Sequence, residues 1–151
     1  MKILYTFILL FSSTLLLAQN SNPNYDAKLA DSLGADAYGM KKFVLVILKT
    51  GTNTDKDQAK INKSFAGHMA NINTLVENKK LIVAGPIGKN DNTYRGIFIL
   101  DVPTLEEAKK LLQTDPAIKD KYLAADVYEW YGSAALATYL EASDKIWKVN
   151  P

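Results

Sequence analysis

Hydrophobic residues alternate between two spacings along this chain, and each change of spacing marks a new element. Phe43-Val44-Leu45-Val46-Ile47-Leu48 is apolar without alternation, the pattern of a strand covered on both faces and therefore central in a sheet. After a polar stretch from Thr50 to Asp57, the residues Ile61, Phe65, His68, Ile72 and Leu75 recur at the 3.6-residue period. That spacing predicts an amphipathic helix running to about Asn78 with these side chains on its inner stripe. Leu81 to Ala84 reads as a short strand ending at Gly85-Pro86, and the Gly88-Lys89-Asn90-Asp91-Asn92 segment as a turn. Tyr94 to Val102 returns as the third strand.

Thr104-Leu105-Glu106-Glu107 has the form of a capping box, in which the threonine oxygen and the Glu107 carboxylate satisfy free amides at a helix start. The helix predicted from Leu105 to about Thr114 stops at Asp115-Pro116, because a proline ring disfavours helical geometry in the residue before it. Ala125 to Tyr131 fits a fourth strand, and Ser133 to about Trp147 is helical in character. The order is β-α-β-β-α-β with a C-terminal helix, an α+β arrangement of the ferredoxin-like, split-βαβ kind. Two helices cover only one face of such a sheet, yet the first strand is apolar on both faces and the third carries Ile97-Phe98-Ile99-Leu100. The second face needs a cover. The same sheet of another copy supplies one in a two-fold dimer, and the C-terminal helix of the same chain supplies another.

The N-terminus belongs to a different pattern. Lys2 is followed by the largely apolar stretch from Ile3 to Leu17 and the small residue Ala18, the layout of a secretory signal peptide over residues 1–18. With Thr6, Ser12, Ser13 and Thr14 inside it, this stretch falls short of the roughly 20 apolar residues of a spanning helix, so the sequence predicts export without a stable membrane anchor. Residues 19–41 read as a linker with a short helix around Ala27 to Leu33 ending at Gly34, residues 42–132 as the compact domain, and residues 133–151 as a helical extension.

Composition narrows the chemistry. The 151 residues are 48% apolar and 23% charged, which suits one packed domain. The formal charge is +2, and loss of Lys2 with the leader lowers it by one, so neither nucleic acid nor an acidic membrane surface is an expected partner. No cysteine is present, which removes disulfides, thiol chemistry and lipid attachment after the leader. With one histidine and no acidic cluster beside it, no metal site and no cofactor is expected.

That single histidine, His68, is the best pointer to function. An imidazole with an ordinary pKa of about 6.5 on the inner stripe of a helix is either a core ring with a satisfied hydrogen bond or a group in a pocket. Asp115 before Pro116, read alone, ends a helix and accepts backbone amides. Arg95 is a candidate for gripping a substrate carboxylate in a bidentate fashion, or else a solvated strand residue paired to a surface acid. Tyr128, Trp130 and Tyr131 line a ligand site or an interface, or else pack in the core, the commoner role of such aromatic clusters.

Phe65-Ala66-Gly67-His68-Met69, Lys80-Leu81-Ile82-Val83-Ala84-Gly85-Pro86, Arg95-Gly96-Ile97-Phe98, Glu106-Glu107-Ala108 and Asp115-Pro116 follow one another in a distinctive order. In that order and spacing, over about Lys42 to Gly132, the chain resembles the YciI-like (YCII-related) family. The resemblance implies a ferredoxin-like fold forming dimeric α+β barrels, with a histidine–aspartate pair that maps onto His68 and Asp115. It also implies chemistry of the kind associated with that family, elimination of chloride from ring-opened chloroaromatic acids, although an exported chain with extensions at both ends departs from its compact members. Two functions follow as expectations: a cofactor-independent acid/base enzyme for a small organic substrate such as a carboxylic acid, or a non-catalytic dimer that binds a small ligand or a protein. The catalytic reading requires a His68 nitrogen within about 3 Å of an Asp115 oxygen beside a cavity open to solvent.

Overall fold

A computed structural model describes residues 22–148. The expected signal peptide, residues 1–18, lies outside the described residues. Helix α1 (Ala27–Leu33) is set by local signals alone. The Asp26 carboxylate accepts the amides of Lys28 and Leu29 at 2.9 and 3.0 Å, and Gly34 closes the helix at φ +68°, a left-handed conformation that glycine adopts without a Cβ penalty.

Strand β1 (Met40–Thr50) is longer at both ends than its apolar run. Helix α2 (Gln58–Glu77) starts at Asp57, whose side chain accepts the Ala59 and Lys60 amides. Strands β2 (Leu81–Pro86) and β3 (Tyr94–Leu100) form a hairpin, followed by helix α3 (Leu105–Leu112). A four-residue helix α4 (Pro116–Lys119) precedes strand β4 (Leu123–Ser133). The chain then makes a 3₁₀ turn (Ala134–Thr138) and a short helix α5 (Tyr139–Ser143).

The sheet order is β2-β3-β1-β4 with every pair antiparallel, which is the expected ferredoxin-like α+β fold. Even-numbered residues of the inner strands, Val44, Val46, Leu48, Phe98 and Leu100, point into one core with Leu75, Ala108, Leu112 and Ala117 from the helices. The odd-numbered residues point the other way, with Leu45 opposite Ile99 and Ile47 opposite Ile97. These four are only half-buried. At one end of that face Phe43 and Ile82 are buried, and the Tyr139 hydroxyl donates to the Ile82 carbonyl at 2.7 Å, so the C-terminal segment shields that end.

Three expectations need correction. First, Asp115-Pro116 does not simply end a helix. Helix α3 already stops at Leu112, and Pro116 opens α4 as its first residue, where the missing N–H is one that the helix would leave unpaired anyway. Second, only half of the capping box forms: Thr104 Oγ1 accepts the Glu107 amide at 3.1 Å, while the Glu107 carboxylate takes the Lys80 ammonium at 2.9 Å. Third, Ser133 to Trp147 is not one helix. Ser133 completes β4, the Ala134 amide donates to the Gly39 carbonyl at 2.9 Å, and Ala134 is buried, so pairing and anchorage at the sheet override helical propensity there.

Candidate functional site

The site is built where α2 crosses the start of α4. On α2, Phe65, Ile72, Leu75 and Val76 turn to the core, and this fixes the rotation of the helix. His68 lies on the same side. Its ring stacks on Phe98 of β3, with centroids 5.9 Å apart and planes 20° from parallel, and meets Phe65 edge-on at 6.1 Å. Two aromatic neighbours leave the imidazole little freedom to rotate.

Asp115 reaches it from the other side. The Asp115 carboxylate is completely buried, and its two oxygens have separate tasks. Oδ1 accepts the Ala117 amide at 2.8 Å as the N-cap of α4, and Oδ2 lies 2.6 Å from His68 Nδ1. The cap and the histidine partner are therefore the same residue. An ionised carboxylate only accepts, so in a neutral imidazole this contact favours the tautomer with its proton on Nδ1 and the lone pair on Nε2. The His68 side chain is 12% exposed, which gives the ring a narrow path to solvent.

Gly67 lets the two helices come this close. A Cβ at that position would stand 2.6 Å from Pro116 Cγ, so any larger residue would lift α4, and Asp115 with it, from α2. A cavity of about 540 Å³ opens next to the crossing of α2 and α4, with Lys60, Lys63, Asp55, Asp120, Gly67 and Pro116 in its wall; neither His68 nor Asp115 lines it. The wall includes the chain neighbour of each member of the pair: Gly67 precedes His68, and Pro116 follows Asp115.

Arg95 does not join them. Arg95 stands where the register of β3 against β1 shifts, between the partners of Leu48 and Lys49, and it is exposed. It lines a separate cavity with Lys89 and Tyr94 at the hairpin end. Trp130 packs on Phe43 with centroids 5.6 Å apart, Tyr131 donates its hydroxyl to Asp36, and Tyr128 is half exposed. The apolar periodicity overlooked polar residues on the inner side of α2, above all the buried Ser64, whose hydroxyl donates to Asp120 Oδ2 at 2.9 Å. Its position one turn before His68 was the available signal. Among the described residues no group of three or more His, Cys, Asp or Glu side chains is arranged to hold a metal ion.

The model of the YCII-related domain matches residues 43–131. The chain belongs to the YCII-related family. The match begins in β1 and ends in β4, so it takes in both His68 and Asp115 and leaves α1 and the C-terminal segment outside. Among solved structures, 5-chloro-2-hydroxyhydroquinone dehydrochlorinase from Burkholderia phenoliruptrix AC1100, in complex with 2,5-dihydroxybenzoquinone, is similar at 22% identity and a TM-score of 0.42. The alignment covers 58% of this YCII-related chain and 92% of the dehydrochlorinase. No curated protein matches the sequence.

Proposed function

We propose that this YCII-related protein is a cofactor-independent acid/base enzyme for a small organic molecule, with His68 as the proton-transferring group and Asp115 as its orienting partner. The observation that carries the reading is the 2.6 Å contact between His68 Nδ1 and a fully buried carboxylate whose other oxygen is held by the Ala117 amide. Capping alone needs one oxygen of Asp115. The second is committed to the imidazole.

In this mechanism the substrate docks in the cavity beside α2 and α4 and presents an acidic C–H or a water molecule to Nε2. Nε2 takes the proton, the ring becomes imidazolium, and Asp115 stabilises that charge without taking the proton itself. The same ring then returns the proton to the product or to a leaving group. Lys63 is the cavity residue available to a substrate carboxylate, since Lys60 is paired with Asp55 in the same wall. Arg95, in the wall of the separate cavity at the hairpin end, is assigned no part in this step. Acid/base catalysis of this type contributes about 10²–10⁴-fold, the remainder coming from positioning.

The test is turnover of a panel of small organic acids and phenols by wild type, His68→Gln and His68→Ala. Loss of about 10²–10⁴-fold in kcat in both variants, with folding intact by circular dichroism, is the expected result. Unchanged turnover removes His68 from the mechanism. Saturable binding without turnover by any of the three proteins establishes the non-catalytic reading instead, which the 12% exposure of the histidine also favours. The reading extends to an exported homodimer. The leader pattern over residues 1–18 supports export, and the half-buried apolar face around Leu45, Ile47, Ile97 and Ile99 supports sheet-to-sheet pairing.

A further inference from the structure

The contact between His68 and Asp115 is the middle of a longer set of contacts. On α2, the adjacent Gly67 and His68 lie three and four residues after Ser64, and Asn71 lies four and three after them, so all four share one edge of the helix. Each meets a residue of the short segment around α4. The Ser64 hydroxyl donates to Asp120 Oδ2 at 2.9 Å, Gly67 accommodates Pro116, His68 meets Asp115, and the Asn71 amide meets Thr114 Oγ1 at 2.8 Å. The Thr114 hydroxyl also reaches the Leu111 carbonyl at 2.7 Å. Its single proton is shared between two acceptors, Asn71 Oδ1 and the Leu111 carbonyl.

The segment facing α2 cannot hold its own shape. Four residues are far fewer than the roughly 12–15 at which an isolated helix becomes even marginally stable in water, so tertiary contacts must place α4. Its own backbone supplies little beyond the bonds from the Lys119 amide to the Asp115 carbonyl and from the Asp120 amide to the Pro116 carbonyl. Pro116 at the first position removes one conformational freedom, and Asn53 adds a 2.8 Å bond to the Asp120 carbonyl. Ser64 is 2% exposed, so its hydroxyl would carry a desolvation cost without Asp120. The polar bonds stand on both sides of the pair, one helical turn before His68 and one turn after it.

From this arrangement we infer that Ser64 and Asn71, through Asp120 and Thr114, are positioning residues that hold the buried Asp115 carboxylate against His68 Nδ1. They do not touch the reacting atoms. They set the population of the state in which α4 lies on α2, and with it the fraction of molecules whose imidazole carries its proton on Nδ1 with Nε2 free. The inference rests on the proposed role of the pair for its catalytic meaning, but the geometry it describes is measurable without any substrate.

The experiment follows the His68 ring by nitrogen-15 NMR in the full mature chain and measures solvent exchange of the Nδ1 proton. Wild type is compared with Asp120→Ala, which removes the acceptor at an exposed position, and with Asp120→Asn, which retains an acceptor oxygen for Ser64. Asp120→Ala is expected to speed exchange by about 2- to 10-fold, the shift that one net hydrogen bond makes in a local opening equilibrium. Asp120→Asn is expected to restore the wild-type rate. Ring signals and exchange unchanged in Asp120→Ala overturn the inference, and so does exchange in Asp120→Asn as fast as in Asp120→Ala. Failure of the acid/base reading has a different signature: turnover insensitive to His68→Gln, with the exchange behaviour as described.

Discussion

Asp115 is the residue on which cap, core and the proposed chemistry converge. Removing its side chain takes away the N-cap bond to Ala117 and leaves the His68 Nδ1 proton without a buried acceptor. A lost cap costs about 1 kcal/mol and an unsatisfied buried donor about 1–3 kcal/mol. Asp115→Ala should therefore lower unfolding free energy by about 2–4 kcal/mol, measured by urea denaturation. Asp115→Asn retains the cap oxygen and most of the volume, so about half that loss is expected, together with disturbance of the His68 tautomer. An Asp115→Asn variant as stable as wild type would show that the oxygen facing His68 adds nothing to stability. Local pattern alone made Asp115 a helix stop, since a single residue before proline carries no mark of a partner 47 positions away, and only the family resemblance paired it with His68.

At the scale of elements, the segment around α1 is attached to the sheet by few contacts, and one of them titrates. Asp36 accepts the amides of Tyr38 and Met40 and the hydroxyl of Tyr131 on β4. The Tyr131 hydroxyl, followed by the Met40 amide, holds the Asp36 carboxyl below the usual carboxylate range. A carboxylate depressed in the folded state adds stability that is fully present above its ordinary pKa of about 3.9 and is lost as pH falls through the lower folded value. Acid titration should release this attachment below about pH 4, seen as faster amide exchange at Met40, and Asp36→Asn should abolish that pH dependence. Acid-insensitive exchange at Met40 in wild type would contradict it. The helices and strands themselves were largely legible in the sequence, because period and caps are local properties. Helix α4 was not: its Asp-Pro start is also a stop signal, and only the docking of Pro116 on Gly67 decides between the two.

At the scale of the whole molecule, the sheet has one face in the helix-covered core and one in which Leu45, Ile47, Ile97 and Ile99 remain half-buried. Shielding by the C-terminal segment reaches only the Phe43 and Ile82 end. For an exported homodimer, mass spectrometry of the purified mature protein should give the mass of a chain beginning after Ala18, and light scattering should give twice that mass. Leu45→Lys, which puts a charge opposite Ile99 on the uncovered face, should return the light-scattering mass to that of one chain with the fold retained. A wild-type protein that scatters as a single chain ends the dimer proposal, and an intact residue 1 ends the leader proposal. No helix among the described residues is long and apolar enough to cross a membrane.

The sequence by itself determined the α+β class, the order of the strands and major helices, the absence of thiol chemistry, and the single imidazole around which a site could form. These follow from periodicity, caps and composition, each readable within a few residues. Tertiary structure alone decided that both readings of Asp115 hold together, that Arg95 lines a cavity apart from His68, and that a buried serine and an asparagine brace the pair. The physical reason is that a hydrogen bond of under 3 Å between residues far apart in the chain depends on the rotation of α2 and the closeness of α4. Phe98, Gly67 and Pro116 set those two quantities only after the chain has packed.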